Sequence, residues 1–143
     1  MPLASADLTP LPPHTAAGSG AQDLVGYSID LSDPAGGAVV RLEVETKHLN
    51  RNGTLQGGIH AMLLDAAAGF AASRALAGQG DIVPVVTLSL NAHYLSPAAQ
   101  GEVIATGYVT GGGHKIIYAE ADIRSADGTL LSRGSGVFKR TAL

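Results

Sequence analysis

The segment from Asn50 to Gly69, NRNGTLQGGIHAMLLDAAAG, constrains the chain most, because a polar turn there runs into an apolar helix that carries one acid. Gly57 and Gly58 stand where that helix begins, and they leave the backbone N–H groups of its first turn uncovered. Those N–H groups lie at the positive end of the helix dipole, which stabilises a carbonyl oxygen that gains negative charge. The segment therefore predicts a helix whose first turn can bind an oxygen of a ligand.

Asp65 is the acid of this helix, and it lies about two turns after Gly57 at roughly 3.6 residues per turn. The helical segment around Asp65 carries no other charge before Arg74, so this face of the helix is not expected to be fully solvated. Its neighbours on the same face are mostly small and leave room for something other than a side chain: Ala61, Met62, Ala68 and Gly69. From the residues alone two interpretations stay open, a helical Asp that points at water and a catalytic base or nucleophile.

With the segments that follow it, this stretch resembles the PaaI-type hotdog-fold acyl-CoA thioesterases, the phenylacetate-degradation group. The family's N-x-x-G-x-x-H-G-G stretch and its helical acid are matched, at the family's spacing, by Asn50, Gly53, Gly57, Gly58 and Asp65. Further along, YLSPAAQG resembles the family's joint between two strands, and IRSADGTLLSRGSGVFKR resembles its closing hairpin. The likeness covers about residues 24 to 140, which is most of the chain.

The chain departs from this pattern at Gln56, which stands where the family has a histidine before the two glycines. An amide cannot be protonated, so any acidic or charged role of that histidine is absent here. The Gln56 amide can still donate and accept hydrogen bonds, and it can therefore orient a carbonyl or a leaving group.

The resemblance implies an enzyme that hydrolyses an acyl- or aryl-acyl-CoA thioester to the free acid and CoA. Asp65 would act as general base or nucleophile, and the N–H of Gly57 would polarise the thioester carbonyl. Asn50 and Gln56 would hold the thioester by amide hydrogen bonds. Thr87 matches a hydroxyl residue that helps to hold the attacking water in relatives, although an ordinary β-branched strand residue is the alternative interpretation.

The remaining candidates are residues for substrate binding. They are Gly58, His48, Lys115 and His114. Lys115, Arg51 and Arg124 are candidates for the CoA phosphates, whereas relatives often carry Lys or Arg at the position of His114. His48, His60 and His93 are expected to be structural or to line a pocket. Because CoA is part of the substrate, no separate cofactor is expected.

Two other functions remain as alternatives. A hotdog acyl-CoA dehydratase or hydratase would need a paired histidine and acid, and Gln56 in place of the histidine disfavours it. The other alternative is a non-catalytic acyl-CoA-binding protein that has lost turnover together with that histidine.

The spacing of Gly57 and Asp65 bears on how a site would be assembled. Eight residues of helix separate them by about 12 Å, at roughly 1.5 Å per residue, too far for both to reach one carbonyl carbon. A site that uses both must draw them from two chains. This agrees with the family, whose sites lie across a dimer interface, so we expect a homodimer with shared sites that pairs further into a homotetramer.

The chain pattern predicts an α+β hotdog fold, a long central helix wrapped by a curved antiparallel sheet. Residues 1–23 are rich in Pro, Ala, Ser and Gly and are predicted to be a tail or arm, and residues 24–143 are predicted to be the thioesterase domain. Strand-like sequence begins at Leu24, and a hairpin follows in which Val40, Leu42 and Val44 face one way. The helix is predicted over residues 57–76, and four further strands follow it.

Composition excludes several classes of function. The 143 residues suffice for one domain and contain no cysteine, and the five histidines have no metal spacing, so no metal site is expected. A net charge of −3 without a basic run argues against nucleic-acid binding. No apolar run reaches the roughly 18 residues of a membrane span, and no secretory signal pattern opens the chain, so we expect a cytoplasmic protein.

Overall fold

The structure is a computed structural model that describes residues 18–78 and 82–141. Its helices are α1 (Gly20–Val25) and α2 (Gly57–Ala77), with a short 3-10 helix at Thr46–His48. Its strands are β1 (Ser28–Asp30), β2 (Ala38–Val44), β3 (Val85–Tyr94), β4 (Gly101–Gly112), β5 (Ile116–Ser125) and β6 (Leu130–Arg140). In the part of the chain that the structure describes, neither α-helix is both long and apolar enough to cross a membrane.

One six-stranded antiparallel sheet curves around α2, in the order β1-β2-β4-β5-β6-β3. The helix packs against β2, β3, β4, β5 and β6. The predicted α+β architecture, a long helix wrapped by a curved antiparallel sheet, is therefore confirmed. The predicted helix of residues 57–76 is also confirmed, and it ends one residue later.

The Ala-rich middle of α2 explains why the sheet can wrap it closely. Ala67, Ala68, Ala71 and Ala72 are fully or almost fully buried. Below them, β4 carries Gly107, where a Cβ atom would lie only 2.0 Å from the carbonyl oxygen of Ala67. A side chain at this point of β4 would therefore push the helix off the sheet.

Period-two alternation correctly predicts the face of β2. Val40, Leu42 and Val44 are buried in the core, and Arg41 and Glu43 between them are exposed. This strand pairs along its whole length with β4, whose buried residues Val103 and Ala105 continue the same core.

The N-terminal part of the described chain differs from the prediction. Residues 24 and 25 were expected to begin a strand, but they form the last turn of α1, which Ser19 caps by accepting a hydrogen bond from the N–H of Gln22 at 3.0 Å. The strand begins only at Ser28. Helix α1 thus crosses the predicted boundary between residues 1–23 and 24–143, and it buries Val25 in the core. Residues 1–17 of the predicted tail of residues 1–23 lie outside the described part.

Strand β3 contains a bulge that changes which side chains face the helix. The pairing with β6 shifts between Thr87 and Ser89, so Leu88 stands opposite no residue. Thr87 therefore faces the same side as Ala92 and Tyr94, whereas uninterrupted alternation would place it with Asn91 on the other side. The bulge aims the Thr87 hydroxyl at α2.

We predict that Gly107→Ala destabilises the protein by about 3 kcal/mol or more, because the added methyl group overlaps backbone atoms of Ala67 that cannot rotate away. The free energy of unfolding, measured by denaturant titration, checks this. Gly113→Ala is the matched control, since a Cβ there meets no atom within 4 Å, and its change should stay within about 0.5 kcal/mol. Equal stability of the two variants would contradict the close packing of α2 on β4.

Candidate active site

The first turn of α2 has two backbone donors that the fold leaves free. Gln56 is the residue before the helix, and its carbonyl accepts from the N–H groups of Ile59 at 2.9 Å and His60 at 3.2 Å. The N–H groups of Gly57 and Gly58 have no hydrogen-bond partner among the described residues. The Gln56 side chain is exposed and does not cap the helix. This first turn can accept a carbonyl oxygen from outside.

Asn50 organises the loop that leads into this turn. Its side-chain oxygen accepts from the N–H groups of Asn52 at 2.9 Å and Thr54 at 3.1 Å, and its own N–H donates to the Thr54 carbonyl at 2.7 Å. The side-chain nitrogen of Asn50 has no partner within the described ranges. It is therefore the part of this side chain that remains available to a substrate.

Asp65 and Thr87 form a second group, further along the helix. The Thr87 hydroxyl donates to Asp65 Oδ1 at 2.6 Å, although the two residues are far apart in sequence. The carboxylate is partly buried, and its other oxygen has no hydrogen-bond partner in the described segments. The structure thus brings together two residues predicted from the sequence, through the bulge in β3.

Tyr27 lies close to this carboxylate and was missed by the sequence analysis. Burial raises the pKa of the Tyr27 phenol, and the negative charge of Asp65 raises it further. Tyr27 follows α1, and its carbonyl accepts from Gln22 Nε2 at 3.2 Å. No local sequence signal marks this residue, since only the fold carries it toward Asp65.

The prediction that His48 binds substrate disagrees with the structure. Its side chain is 1% exposed, and both ring nitrogens are engaged within the chain. Nε2 contacts the carbonyl of Val25 at 2.7 Å, and Nδ1 accepts from the N–H of Glu45 at 2.9 Å. The carbonyl requires a donor and the N–H an acceptor, which together select the Nε2–H tautomer. His48 therefore ties α1 to the loop before α2 and presents no polar atom to a substrate.

His60 and Tyr94 form a contact beside the first turn of α2 that the sequence did not indicate. Their rings meet edge to face at 5.2 Å, and the Tyr94 hydroxyl donates to the Gly57 carbonyl at 2.7 Å. His60 Nδ1 contacts the Ser132 hydroxyl at 2.8 Å, and both of these side chains are buried. Burial lowers the pKa of the His60 imidazole below its ordinary value.

The predicted residues fall into two groups at opposite ends of β3. Gly57 contacts Tyr94 at the end of this strand, Gln56 and Gly58 adjoin it, and Asn50 organises the loop that leads into this turn. Asp65 joins Thr87 near its beginning. His114 and Lys115 are exposed in the turn between β4 and β5, and the pairing of Ile116 with Lys139 and of Lys139 with Val86 places that turn on the Thr87 side. Within residues 18–78 and 82–141, no cluster of three His, Asp or Glu side chains could hold a metal ion.

One long helix wrapped by a curved antiparallel sheet is the architecture of the hotdog class of proteins, and here that helix carries both the Gly57 turn and Asp65. The family profile of the thioesterase superfamily matches residues 52–132. The chain belongs to the thioesterase superfamily, and it is a thioester hydrolase. The match includes α2 from its first residue and ends within β6.

Relatives and solved structures agree with this assignment. Acyl-coenzyme A thioesterase 13 from Homo sapiens is 31% identical over 106 residues, which cover 73% of this chain and 73% of that protein. A mutant of the phenylacetic acid degradation protein PaaI from Thermus thermophilus is similar in structure, with a TM-score of 0.73, 26% identity, and coverage of 86% of this chain and 100% of that one. The PaaI protein of E. coli shares the fold, with a TM-score of 0.76, 22% identity, and coverage of 87% and 86%.

We predict that His60 makes stability depend on pH between its lowered folded pKa and the unfolded value of about 6.5. In that window the unfolded chain binds more protons than the folded one, so the free energy of unfolding falls as the pH falls below about 6.5. Above that value both states are neutral, and this contribution does not change. Urea titrations across the window should show a smaller slope for His60→Asn. Equal slopes for the wild type and His60→Asn would contradict the prediction.

Proposed function

We propose that this protein hydrolyses acyl- or aryl-acyl-CoA thioesters to the free acid and CoA. The observation that carries the proposal is the hydrogen bond of 2.6 Å from the Thr87 hydroxyl to Asp65 Oδ1. It orients a carboxylate on the partly buried face of α2 and leaves one oxygen free for a water molecule or a thioester carbon. The similarity to acyl-coenzyme A thioesterase 13 supports CoA as the thiol part of the substrate.

Asp65 would act in one of two ways. As a general base it takes a proton from water while the water oxygen bonds to the carbonyl carbon, and the C–S bond then breaks. As a nucleophile it forms an acyl–aspartyl anhydride with loss of the CoA thiolate, and water cleaves that anhydride afterwards. In both routes the C–S bond breaks with departure of the CoA thiolate, which takes up the proton that the attacking water loses, and Thr87 holds the carboxylate in one orientation.

The free N–H groups of Gly57 and Gly58 would stabilise the oxyanion that forms on the thioester carbonyl. They point out of the first turn of α2, at the positive end of its dipole. Asn50 would add a donor through its unpaired side-chain nitrogen, and Gln56 would orient the substrate through its exposed amide. None of these hydrogen-bond donors titrates near neutral pH. The part of the site that binds the thioester carbonyl would therefore need no histidine.

The two halves would meet in a homodimer that pairs β3 with its copy. This ten-residue strand is an edge of the sheet, and it exposes large apolar side chains such as Leu88, which is 54% exposed. Antiparallel pairing about an axis between Leu90 and Asn91 would set Thr87 opposite the partner's Tyr94. Asp65 of one chain would then approach the Gly57 turn of the other chain. A site shared between two chains is required because Asp65 and Gly57 of the same chain lie roughly 12 Å apart along the helix. Such dimers would pair further into tetramers.

His114 and Lys115 would reach the CoA phosphates from the turn between β4 and β5. Both are exposed, and the strand register places their turn at the Asp65 end of the sheet. Gly58 would contribute through its backbone alone. His48 is not part of this proposal, because its ring nitrogens are used within the fold.

The proposal predicts release of free thiol from at least one member of an acyl-CoA panel that includes phenylacetyl-CoA and straight-chain acyl groups. Asp65→Asn should lower kcat by at least about a hundredfold, because the amide can neither accept the proton nor attack. Its circular dichroism spectrum should match that of the wild type. Binding of all thioesters without turnover, or hydration of an enoyl-CoA instead of hydrolysis, would contradict the proposed reaction.

Gly57→Pro tests the oxyanion donor directly, because proline lacks the N–H group but suits the first position of a helix. Gln56 before it already has φ −58° and ψ 136°, the conformation that proline requires of the preceding residue. We expect kcat to fall about 10²–10³-fold with the fold retained. Gly57→Ala is the matched control, since it keeps the N–H and its Cβ meets Tyr94 at an ordinary 3.6 Å. Equal activity of the Pro and Ala variants would remove the Gly57 N–H from the mechanism.

The same variant tests the two-chain site. Asp65→Asn and Gly57→Pro proteins, each inactive alone, are mixed after reversible dissociation so that mixed dimers form. One of the two sites in a mixed dimer receives both defects and the other receives neither, so activity should return to about a quarter of wild type when half of the dimers are mixed. If subunit exchange is complete and no activity returns, each site is built within one chain.

A further inference from the structure

Tyr94 contacts the first turn of α2 with both its hydroxyl and its ring. The hydroxyl donates to the Gly57 carbonyl at 2.7 Å, and a Cβ atom at Gly57 would lie 3.6–3.7 Å from the phenol. Tyr94 is nevertheless 53% exposed, so its burial in the core does not explain the contact. The side chain stands beside the free N–H groups of Gly57 and Gly58, at the end of the edge strand β3.

The first turn of α2 needs an external restraint, because its own sequence supplies little. It opens with two glycines, which lose more backbone freedom on folding than any other residue. The preceding Gln56 makes no side-chain cap, so no side chain stabilises the N-terminus in the usual way. The N–H groups of Leu55 and Gln56 donate to the carbonyls of Ala98 and His48 and hold the chain just before this turn, whereas the Gly57–Gly58 peptide itself is contacted by Tyr94.

The Tyr94 hydroxyl acts on one particular donor through the geometry of the peptide bond. The carbonyl of Gly57 and the N–H of Gly58 belong to the same planar group, so a bond that holds the oxygen also aims the hydrogen. A hydrogen bond at the carbonyl also polarises that group, by roughly 10–30% in bond strength. The phenol thus both orients and strengthens the Gly58 donor.

The ring of Tyr94 is itself fixed by buried residues. His60 packs its ring edge to face against it at 5.2 Å, with an angle of 77° between the planes. His60 is held in turn by Ser132, whose hydroxyl lies 2.8 Å from Nδ1. Ser132 is fully buried on β6, directly across from Tyr94 in the strand register. The phenol is therefore anchored to the sheet, and the sheet fixes the position of the first helical turn.

We infer that Tyr94 is a positioning residue of the thioesterase site, which aims the free N–H groups of the first turn of α2 at the thioester carbonyl. The inference rests on the proposed function, because it assigns a reaction role to those N–H groups. Tyr94 acts through the Gly57–Gly58 peptide and is not itself an acid or base.

Tyr94→Phe removes the hydroxyl and keeps the ring, and its matched control is Tyr118→Phe. Tyr118 is similarly exposed, at 50%, but lies on β5, and its hydroxyl has no partner among the described residues. We expect kcat of Tyr94→Phe to fall about tenfold with KM within about twofold, because the donors act mainly on the transition state. The control should keep wild-type kcat. An unchanged melting temperature excludes general loss of structure as the cause. Wild-type kcat in Tyr94→Phe overturns the inference.

Measurements of backbone dynamics test the positioning role of Tyr94 independently of enzymatic activity. In ¹⁵N-labelled protein the order parameters of Gly57 and Gly58 should be near about 0.85 in the wild type and in Tyr118→Phe, and clearly lower in Tyr94→Phe. Equal order parameters in all three proteins overturn the positioning role, whatever the enzyme hydrolyses. If the wild type hydrolyses no thioester of the panel, the proposed function fails, whereas the order parameters still decide whether Tyr94 holds the turn.

Discussion

The close approach of α2 to the sheet is the contact on which the rest of the structure depends. It is made by backbone against backbone, where Gly107 lies under the carbonyl of Ala67 with no room for a methyl group between them. Gly134 on β6 continues the approach, since a Cβ there would lie 3.4 Å from Leu64 and 2.9 Å from the Asn91 carbonyl. Because these small residues let the sheet wrap the helix, β3 reaches α2 at two points, Gly57 and Asp65.

These two contacts place the two groups of candidate site residues at opposite ends of β3. At the beginning of β3, a hydroxyl orients a carboxylate, and at its end a phenol holds a turn with free N–H donors. A base or nucleophile and an oxyanion donor must act on the same carbon, and one helix keeps them apart by about 12 Å. The exposed edge of β3 offers a physical solution, because antiparallel pairing of two copies brings opposite ends together.

Gln56 shows how the site would work without the histidine that the family has at this position. Its side chain is exposed and makes no cap, so the fold does not use it. The donors that remain are backbone N–H groups and side-chain amides, and none of them changes its charge near neutral pH. The histidine that is present nearby, His60, is buried against Ser132 and Tyr94, with its pKa lowered by burial. Its ring packs edge to face against Tyr94 and fixes the position of that side chain.

The sequence by itself determined the helix over α2, the faces of β2, and the segment in which glycines and an acid follow one another at family spacing. The helix and the strand faces follow from local periodicity, and the segment is recognised by residue types at fixed spacing, so neighbouring residues decide all three. Only the tertiary structure decided the rest. The bulge at Leu88 turned Thr87 toward Asp65. Regular alternation of side chains along a strand could not predict this, because it assumes strand pairing without a bulge. His48, Tyr27 and Tyr94 received their roles from partners distant in the chain, and no local pattern records such contacts.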